Sequence, residues 1–172
     1  MKVLAIDPGN IESAYCVIDG ATLRPEKFAK VPNEQLRAML KESRFTADDR
    51  AAVEMIASYG MAVGREVFDT CRWIGRYEEI LSRKLSVPPA LVYRREEKLH
   101  ICGDSKAKDA NIRRALIDRF AAHDLKNGKG TKDNPDWFYG FRADCWAAYA
   151  VGLTYIETHL HRVLVEEQGL EW

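Results

Sequence analysis

The stretch Val3-Leu4-Ala5-Ile6-Asp7-Pro8-Gly9-Asn10 constrains this chain more than any other. Val, Leu and Ile side chains ahead of a Pro-Gly break read as a short buried strand. That strand ends in an aspartate, and a carboxylate there is costly to bury unless something compensates its charge. A divalent cation is one compensator, and an open strand end suits metal-dependent phosphoryl chemistry. A solvated turn aspartate is the plain alternative for an isolated Asp-Pro-Gly. Two later carboxylates in apolar settings weigh against it.

The 172 residues, 47 % hydrophobic and 30 % charged, suit one domain over residues 1–172 with a real core. No apolar run approaches the roughly 20 residues of a membrane span, so no membrane association is expected. Met1-Lys2 leads straight into the first strand, which predicts no signal peptide and a cytoplasmic location. Cys16, Cys71, Cys102 and Cys145 are widely spaced with no Cys-x-x-Cys pair. They read as reduced thiols, not as a structural zinc site. The formal net charge is zero but unevenly spread: residues 94–132 hold 11 Lys or Arg against 6 Asp or Glu, leaving 15 against 20 elsewhere. That segment is where a polyanion would lie, with a solvated basic face as the alternative.

Residues 2–7, 12–19 and 22–30 read as three strands in an antiparallel meander. A helix over 33–43 follows Pro32, with Leu36, Met39 and Leu40 on one side. Residues 50–56 return as a strand. Over 63–84 the spacing of Val67, Cys71, Ile74, Glu78 and Leu81 predicts a long helix. Residues 90–93 form a fifth strand, 95–101 a short helix and 109–122 a clearer one with Ile112, Leu116, Ile117 and Phe120 as its stripe. Residues 126–135 are Gly- and Lys-rich and read as a mobile loop. A last helix is expected over about 141–166. Three consecutive strands, then helices alternating with single strands, indicate a mixed α/β sheet.

Glu54 lies within Ala51-Ala52-Val53-Glu54-Met55-Ile56, again a carboxylate inside an apolar strand. If this strand lies beside the first, Asp7 and Glu54 face one point at one end of the sheet. Asp144 precedes Ala148, Val151 and Tyr155 at helical spacing, so its carboxylate is expected to point at the sheet. Three such acids fit metal-assisted phosphodiester hydrolysis, in which two Mg²⁺ or Mn²⁺ ions roughly 3.5–4 Å apart activate water and stabilise the leaving oxygen. The alternative pairs each acid with an arginine such as Arg50, Arg65 or Arg142.

With these residues in place, the chain resembles the RuvC-type Holliday junction resolvases of the RNase H-like superfamily, particularly their compact phage-like relatives. Ala5-Ile6-Asp7-Pro8-Gly9 is similar to that family's opening, and Val53-Glu54 to its second acid. Gly64 and Ile74-Gly75-Arg76 are similar to the helix that follows. Gly103-Asp104-Ser105-Lys106-Ala107-Lys108 resembles its basic loop, and Ala143-Asp144-Cys145-Trp146-Ala147 its C-terminal metal-binding acid. The likeness runs over about residues 3–156 in element order. It implies an RNase H-like mixed five-stranded sheet flanked by helices, Asp7, Glu54 and Asp144 as ligands of Mg²⁺ or Mn²⁺ in two sites, and Lys108 as a catalytic lysine at the phosphate. It further implies branched DNA, a four-way junction, as the substrate. One position departs from the family: where it carries a further Asp or His one turn before the last acid, this chain has Phe141. Three acids then suffice, or Asp136 or Asp104 substitutes, or activity is reduced.

Lys106, Arg94, Arg95, Lys98, Arg113 and Arg114 are candidates for contacts to the DNA backbone. Tyr59, in the loop after Glu54, could stack on an unpaired base or simply anchor the loop. Gly128-Lys129-Gly130-Thr131 lacks the spacing of a phosphate loop, and His159-x-His161 places its rings on different helix faces. A near-two-fold junction cut in pairs implies a homodimer, with the 63–84 helix, Trp73 and Tyr77 included, as part of the contact. A non-catalytic junction-binding protein of the same fold is the main alternative, favoured by Phe141. A sugar-kinase-like ATPase also begins with Asp-x-Gly, but needs two such domains.

Overall fold

The parallel pairing of the first and fourth strands organises the molecule, a computed structural model that describes residues 1–58, 60, 62–142 and 144–160. Strand β1 (Lys2–Asp7) is central, antiparallel to β2 (Glu12–Asp19) and parallel to β4 (Arg50–Met55). Strand β3 (Pro25–Pro32) pairs antiparallel to β2, and β5 (Ala90–Tyr93) parallel to β4, giving the order β3-β2-β1-β4-β5. The sheet is mixed and five-stranded, as the sequence indicates.

Alternation along the strands divides two cores. Val3 and Ala5 of β1 and Ala52 of β4 face one side, with helices α3 (Arg94–Cys102), α4 (Asp109–Phe120) and α5 (Cys145–Tyr155). Leu4, Ile6, Ala51 and Val53 face the other, covered by α1 (Asn33–Glu42) and α2 (Arg65–Ser82). Helix α5 is buried all round. It lies so close to the sheet that a Cβ on Gly152 would stand 2.8 Å from Ala5 Cβ and 2.5 Å from Ile18 Cδ1. A π-helical turn over Ile156–Leu160 continues it. The part of the expected last helix beyond residue 160 lies outside the described residues.

Four local expectations change. The third strand starts at Pro25, not residue 22, because Asp19 Oδ1 accepts from the backbone N–H groups of Ala21 and Thr22 and withdraws them into a turn. Helix α5 starts at Cys145, not near 141. Gly140 has φ +85°, and Phe141 is drawn into an aromatic cluster with Phe28, Phe138, Trp146 and Tyr149. The segment expected to be a mobile loop is tied down instead. Asp124 accepts from the N–H groups of Asn127, Lys129 and Gly130, and Asp136 from those of Ala122, His123, Asp124 and Trp137. Finally, Tyr77 is fully buried in the α2 core, so it is no part of an outer contact face. Trp73 also packs on that core, with Arg76 over its ring; the large apolar side chain exposed on α2 is Phe68, at 61 %.

Tyr77 belongs to a buried polar chain that fixes the turn after Asp7. Its hydroxyl lies 3.2 Å from Ser13 Oγ, which donates to Asn33 Oδ1 at 2.7 Å. Asn33 Nδ2 in turn donates to the Gly9 carbonyl at 2.8 Å, and the Asn33 N–H to that of Ile11 at 3.0 Å. Gly9 itself is required there, since a Cβ would sit 2.3 Å from the Glu12 carbonyl oxygen. Asn33→Ala removes two of these bonds and strands buried partners, so it should cost about 1–3 kcal/mol in denaturant unfolding.

Asp136 supplies a pH prediction. Burial works to raise its pKa, but the four backbone donors overcome burial and hold the carboxyl below its ordinary value. A depressed carboxylate contributes stability above its unfolded pKa of about 3.9 and loses it as pH falls through the folded value. The wild-type melting temperature should therefore fall as pH drops below about 4. Asp136→Asn should melt lower at pH 7 and show a shallower acid slope.

Candidate metal and nucleic-acid site

The sheet register builds the site as a row. Asp7 pairs with Ala14, and Ala14 with Lys30, across β1, β2 and β3. On the other side Ile6 pairs with Val53, so the next residues, Asp7 and Glu54, stand side by side; Glu54 pairs with Val92 of β5. All point to the face carrying α3, α4 and α5. Asp144 is the N-cap residue of α5, above the same row.

Asp7 and Glu54 come together as the sequence predicts. Burial first, then the Glu54 charge and a hydrogen bond between the two carboxyls, pushes the Asp7 pKa up to about 9. Asp144 adds to the rise, and Arg94 opposes it. Two carboxylates this close oppose each other's ionisation, and a cation between them relieves that repulsion. Two adjacent carboxylates with oxygen-only donors, opening onto solvent, fit a hard divalent cation.

Asp144 is placed differently from expectation. Its side chain is 45 % exposed and directed at Lys30, whose Nζ lies 2.7 Å from Asp144 Oδ2 and 3.7 Å from Glu12 Oε2. The bond to Asp144 raises the Lys30 pKa. Lys30 and Asp144 line, with Asp7, Pro8, Gly9, Asn10, Ile11 and Glu12, a cleft of about 380 Å³. Among the described residues no three Asp, Glu, His or Cys side chains close into a preformed cation cage. The reason is geometric: the helix begins at Asp144 itself, and the lysine on β3 draws that carboxylate aside.

None of the acids is neutralised by the arginines considered in the sequence. Arg50 donates to the carbonyls of Ala47 and Asp49, and Arg65 pairs with Asp69. Of the possible substitutes for the position of Phe141, Asp136 is consumed by backbone donors, and Asp104 receives the Lys106 N–H. Phe141 is fully buried in the aromatic cluster.

Two functional candidates escaped the sequence reading. Lys30 lies near the end of the edge strand β3 and carries no motif, although the hairpin register alone would have put it in the row of Asp7. Glu97 sits in a charged run, Arg94-Arg95-Glu96-Glu97-Lys98, that looks solvated. Yet its side chain is 0 % exposed, with Arg94 Nη1 at 2.6 Å. Burial, then the charge of Glu54, pushes the Glu97 pKa up to about 9. No helical stripe in the sequence marks it.

The basic candidates separate. Arg94 is half-buried and engaged within the chain, paired with Glu97 and, at 2.5 Å, with Asp109 at the start of α4. Lys106 and Lys108 are exposed in the turn between α3 and α4, where the Lys108 N–H donates to Asn111 Oδ1 at 2.9 Å. Arg95 is exposed, and Arg113 lies over the Trp146 ring at 4.7 Å. Lys98 is half-buried on α3. Arg114 is bound to Asp118 and to the Leu125 carbonyl. Tyr59 lies outside the described residues.

No family profile and no curated protein matches the sequence. Solved structures do match in fold. The structure of RuvC from Thermus thermophilus superposes with a TM-score of 0.62 at 16 % identity, covering 98 % of this chain and 97 % of that one. T. thermophilus RuvC in complex with a Holliday junction substrate gives a TM-score of 0.63 at 16 % identity, covering 90 % and 92 %. The chain therefore has the RNase H-like α/β fold of RuvC.

Proposed function

We propose that this protein is a metal-dependent, structure-selective DNA endonuclease that resolves four-way junctions by paired phosphodiester hydrolysis. The observation that carries the reading is the adjacent, half-buried Asp7–Glu54 pair at the open end of β1 and β4, in a fold shared with a protein solved on a Holliday junction.

Asp7 and Glu54 would hold Mg²⁺ or Mn²⁺, with Asp144 joining them on release from Lys30. Such ions, when bound, activate water and stabilise charge on the leaving oxygen. The chain's own work is orientation. The Ser13–Asn33–Tyr77 chain holds the turn that follows Asp7, and α5 fixes the height of Asp144 over the sheet. Lys108, with Lys106 beside it, would meet a phosphate at the rim and balance its developing charge. Arg95 and Arg113 would follow the DNA backbone without reading sequence. Arg94 is assigned to ion pairs within the chain, since its two carboxylate partners leave it little to offer DNA. Two-fold junction symmetry calls for two copies of the chain acting together.

A second reading, junction binding without cleavage, is favoured by Phe141 in the core and Lys30 on Asp144. Both readings are tested by incubating labelled four-way junction, fork, flap and linear duplex with Mg²⁺ or Mn²⁺. Wild type should make paired cuts in the junction, and Asp7→Asn should lose activity by at least about 10³-fold. Tight binding with no cut by either protein would replace the nuclease with the binding module. Equal cutting by both would remove Asp7 from the site.

A further inference from the structure

Helices α1 and α2 both start at the end of the sheet that carries Asp7 and run back toward the other end. Helix α1 follows β3 directly, and β3 finishes beside Glu12 and Ser13. Helix α2 comes after β4 and returns the chain to the start of β5, which is parallel to β4. Their C-terminal halves therefore meet at the far end of the molecule from the Asp7–Glu54 pair. Lys84 ties them together there, its Nζ donating to the Ser43 carbonyl at 2.8 Å and to that of Lys41.

A groove of about 310 Å³ lies between the two helices, where Arg37, Lys41, Arg76, Arg83 and Lys84 face a single carboxylate, Glu79. Neither helix is basic by itself: α1 carries two acids and two bases, α2 four acids and three bases. The excess of positive charge exists only where the two faces meet. Helix C-termini attract cations, and Lys84 fills that role. Arg37 and Arg76 sit a turn or more inside their helices, so the helix ends do not account for them.

The nearby acids hold these cations loosely. Arg83 pairs with Glu79 at 2.7 Å and Arg37 with Glu34 at 3.1 Å, both as exposed pairs along one helix, a kind that contributes little. Among the described residues Lys41, Arg76 and Lys84 have no carboxylate partner. The Arg76 guanidinium instead lies over the Trp73 ring at 4.3 Å, which fixes its plane. Five like charges around one groove repel each other, and a chain of phosphates relieves them together where one carboxylate meets only one. In the segment that composition marks as basic, by contrast, Arg94 and Arg114 are already engaged by Glu97, Asp109 and Asp118.

We propose that the α1–α2 groove is a DNA-binding site that holds the phosphates of a duplex arm, without reading sequence, at the end of the molecule opposite the Asp7–Glu54 pair. It rests on the reading of DNA as the partner and on none of the cleavage chemistry. The arms of a branched substrate leave its centre in several directions, so one junction can meet both ends of the protein.

The test is fluorescence anisotropy of labelled four-way junction with the full chain in EDTA, where no cleavage competes, over a series of salt concentrations. Lys41→Gln combined with Arg76→Gln should weaken binding about 10-fold and lower the slope of log affinity against log salt by about two, one for each lost phosphate contact. Arg72→Gln removes a charge from α2 outside the groove and should leave the slope unchanged. Thermal melting monitors the fold; if loss of the Trp73 contact unfolds the double variant, Lys41→Gln alone, at an exposed position, should lower the slope by about one. An unchanged slope, or an equal drop in Arg72→Gln, would overturn the site. Inorganic pyrophosphate bound by the wild type and lost in the double variant, with junction binding intact, would make the groove a site for free phosphates instead of DNA. A wild-type protein that binds no DNA at any salt would contradict DNA as the partner, and this site with it.

Discussion

The pairing of Ile6 with Val53 is the constraint on which the rest depends. It puts two carboxylates from segments more than forty residues apart onto one face, side by side, at the end of a sheet whose inward residues nearer its middle are apolar. Their mutual repulsion and burial oppose folding, and the structure opposes them in turn with a rigid frame. The strand pair is flanked on both sides, α5 is pressed against it through Gly152, and the Pro8-Gly9 turn is fastened to α1 and α2 through Asn33 and Tyr77. An open turn would let Asp7 swing to water and relieve the strain of charge. The buried hydrogen bonds among Ser13, Asn33 and Tyr77 hold that turn in place.

Electrostatics in the cleft divide into two halves. On the β5 side Arg94 gathers Glu97 and Asp109 and lowers the charge felt at Asp7. On the β3 side Lys30 holds Asp144. Each half sets an internal cation against carboxylates. Exposed ion pairs of the Lys30–Asp144 kind are weak, so Asp144 can be released at small cost. The Arg94–Glu97 pair is buried and correspondingly fixed.

Much of this was legible in the sequence because it depends on local pattern. Apolar runs ending in Asp7 and Glu54 marked β1, β4 and two residues of the proposed site. Helical spacing found α2 and α4, and element order pointed to the RNase H-like sheet. What escaped depends on tertiary partners. Tyr77 looked like an amphipathic edge residue, but Ser13, distant in sequence, gives its hydroxyl a buried partner. Phe141 ends up in the core because Phe28 from β3 packs tilted against it, ring centroids 4.4 Å apart, a contact no window of sequence contains. Lys30 and Glu97 are charged residues in charged surroundings, and only the register of β3 and the placement of α3 turn them inward. Asp136 and Asp124 give a Gly-rich segment fixed structure through backbone bonds that composition does not announce.

The central claim is that Asp7 and Glu54 form a divalent-cation site. Crystals soaked in Mn²⁺ and measured at the manganese edge address it most directly. The account predicts an anomalous peak between the two carboxylates, with Asp144 turned away from Lys30 toward it. Crystals that carry Mn²⁺ elsewhere, with Asp7 and Glu54 still bonded to each other and Lys30 still on Asp144, would contradict it.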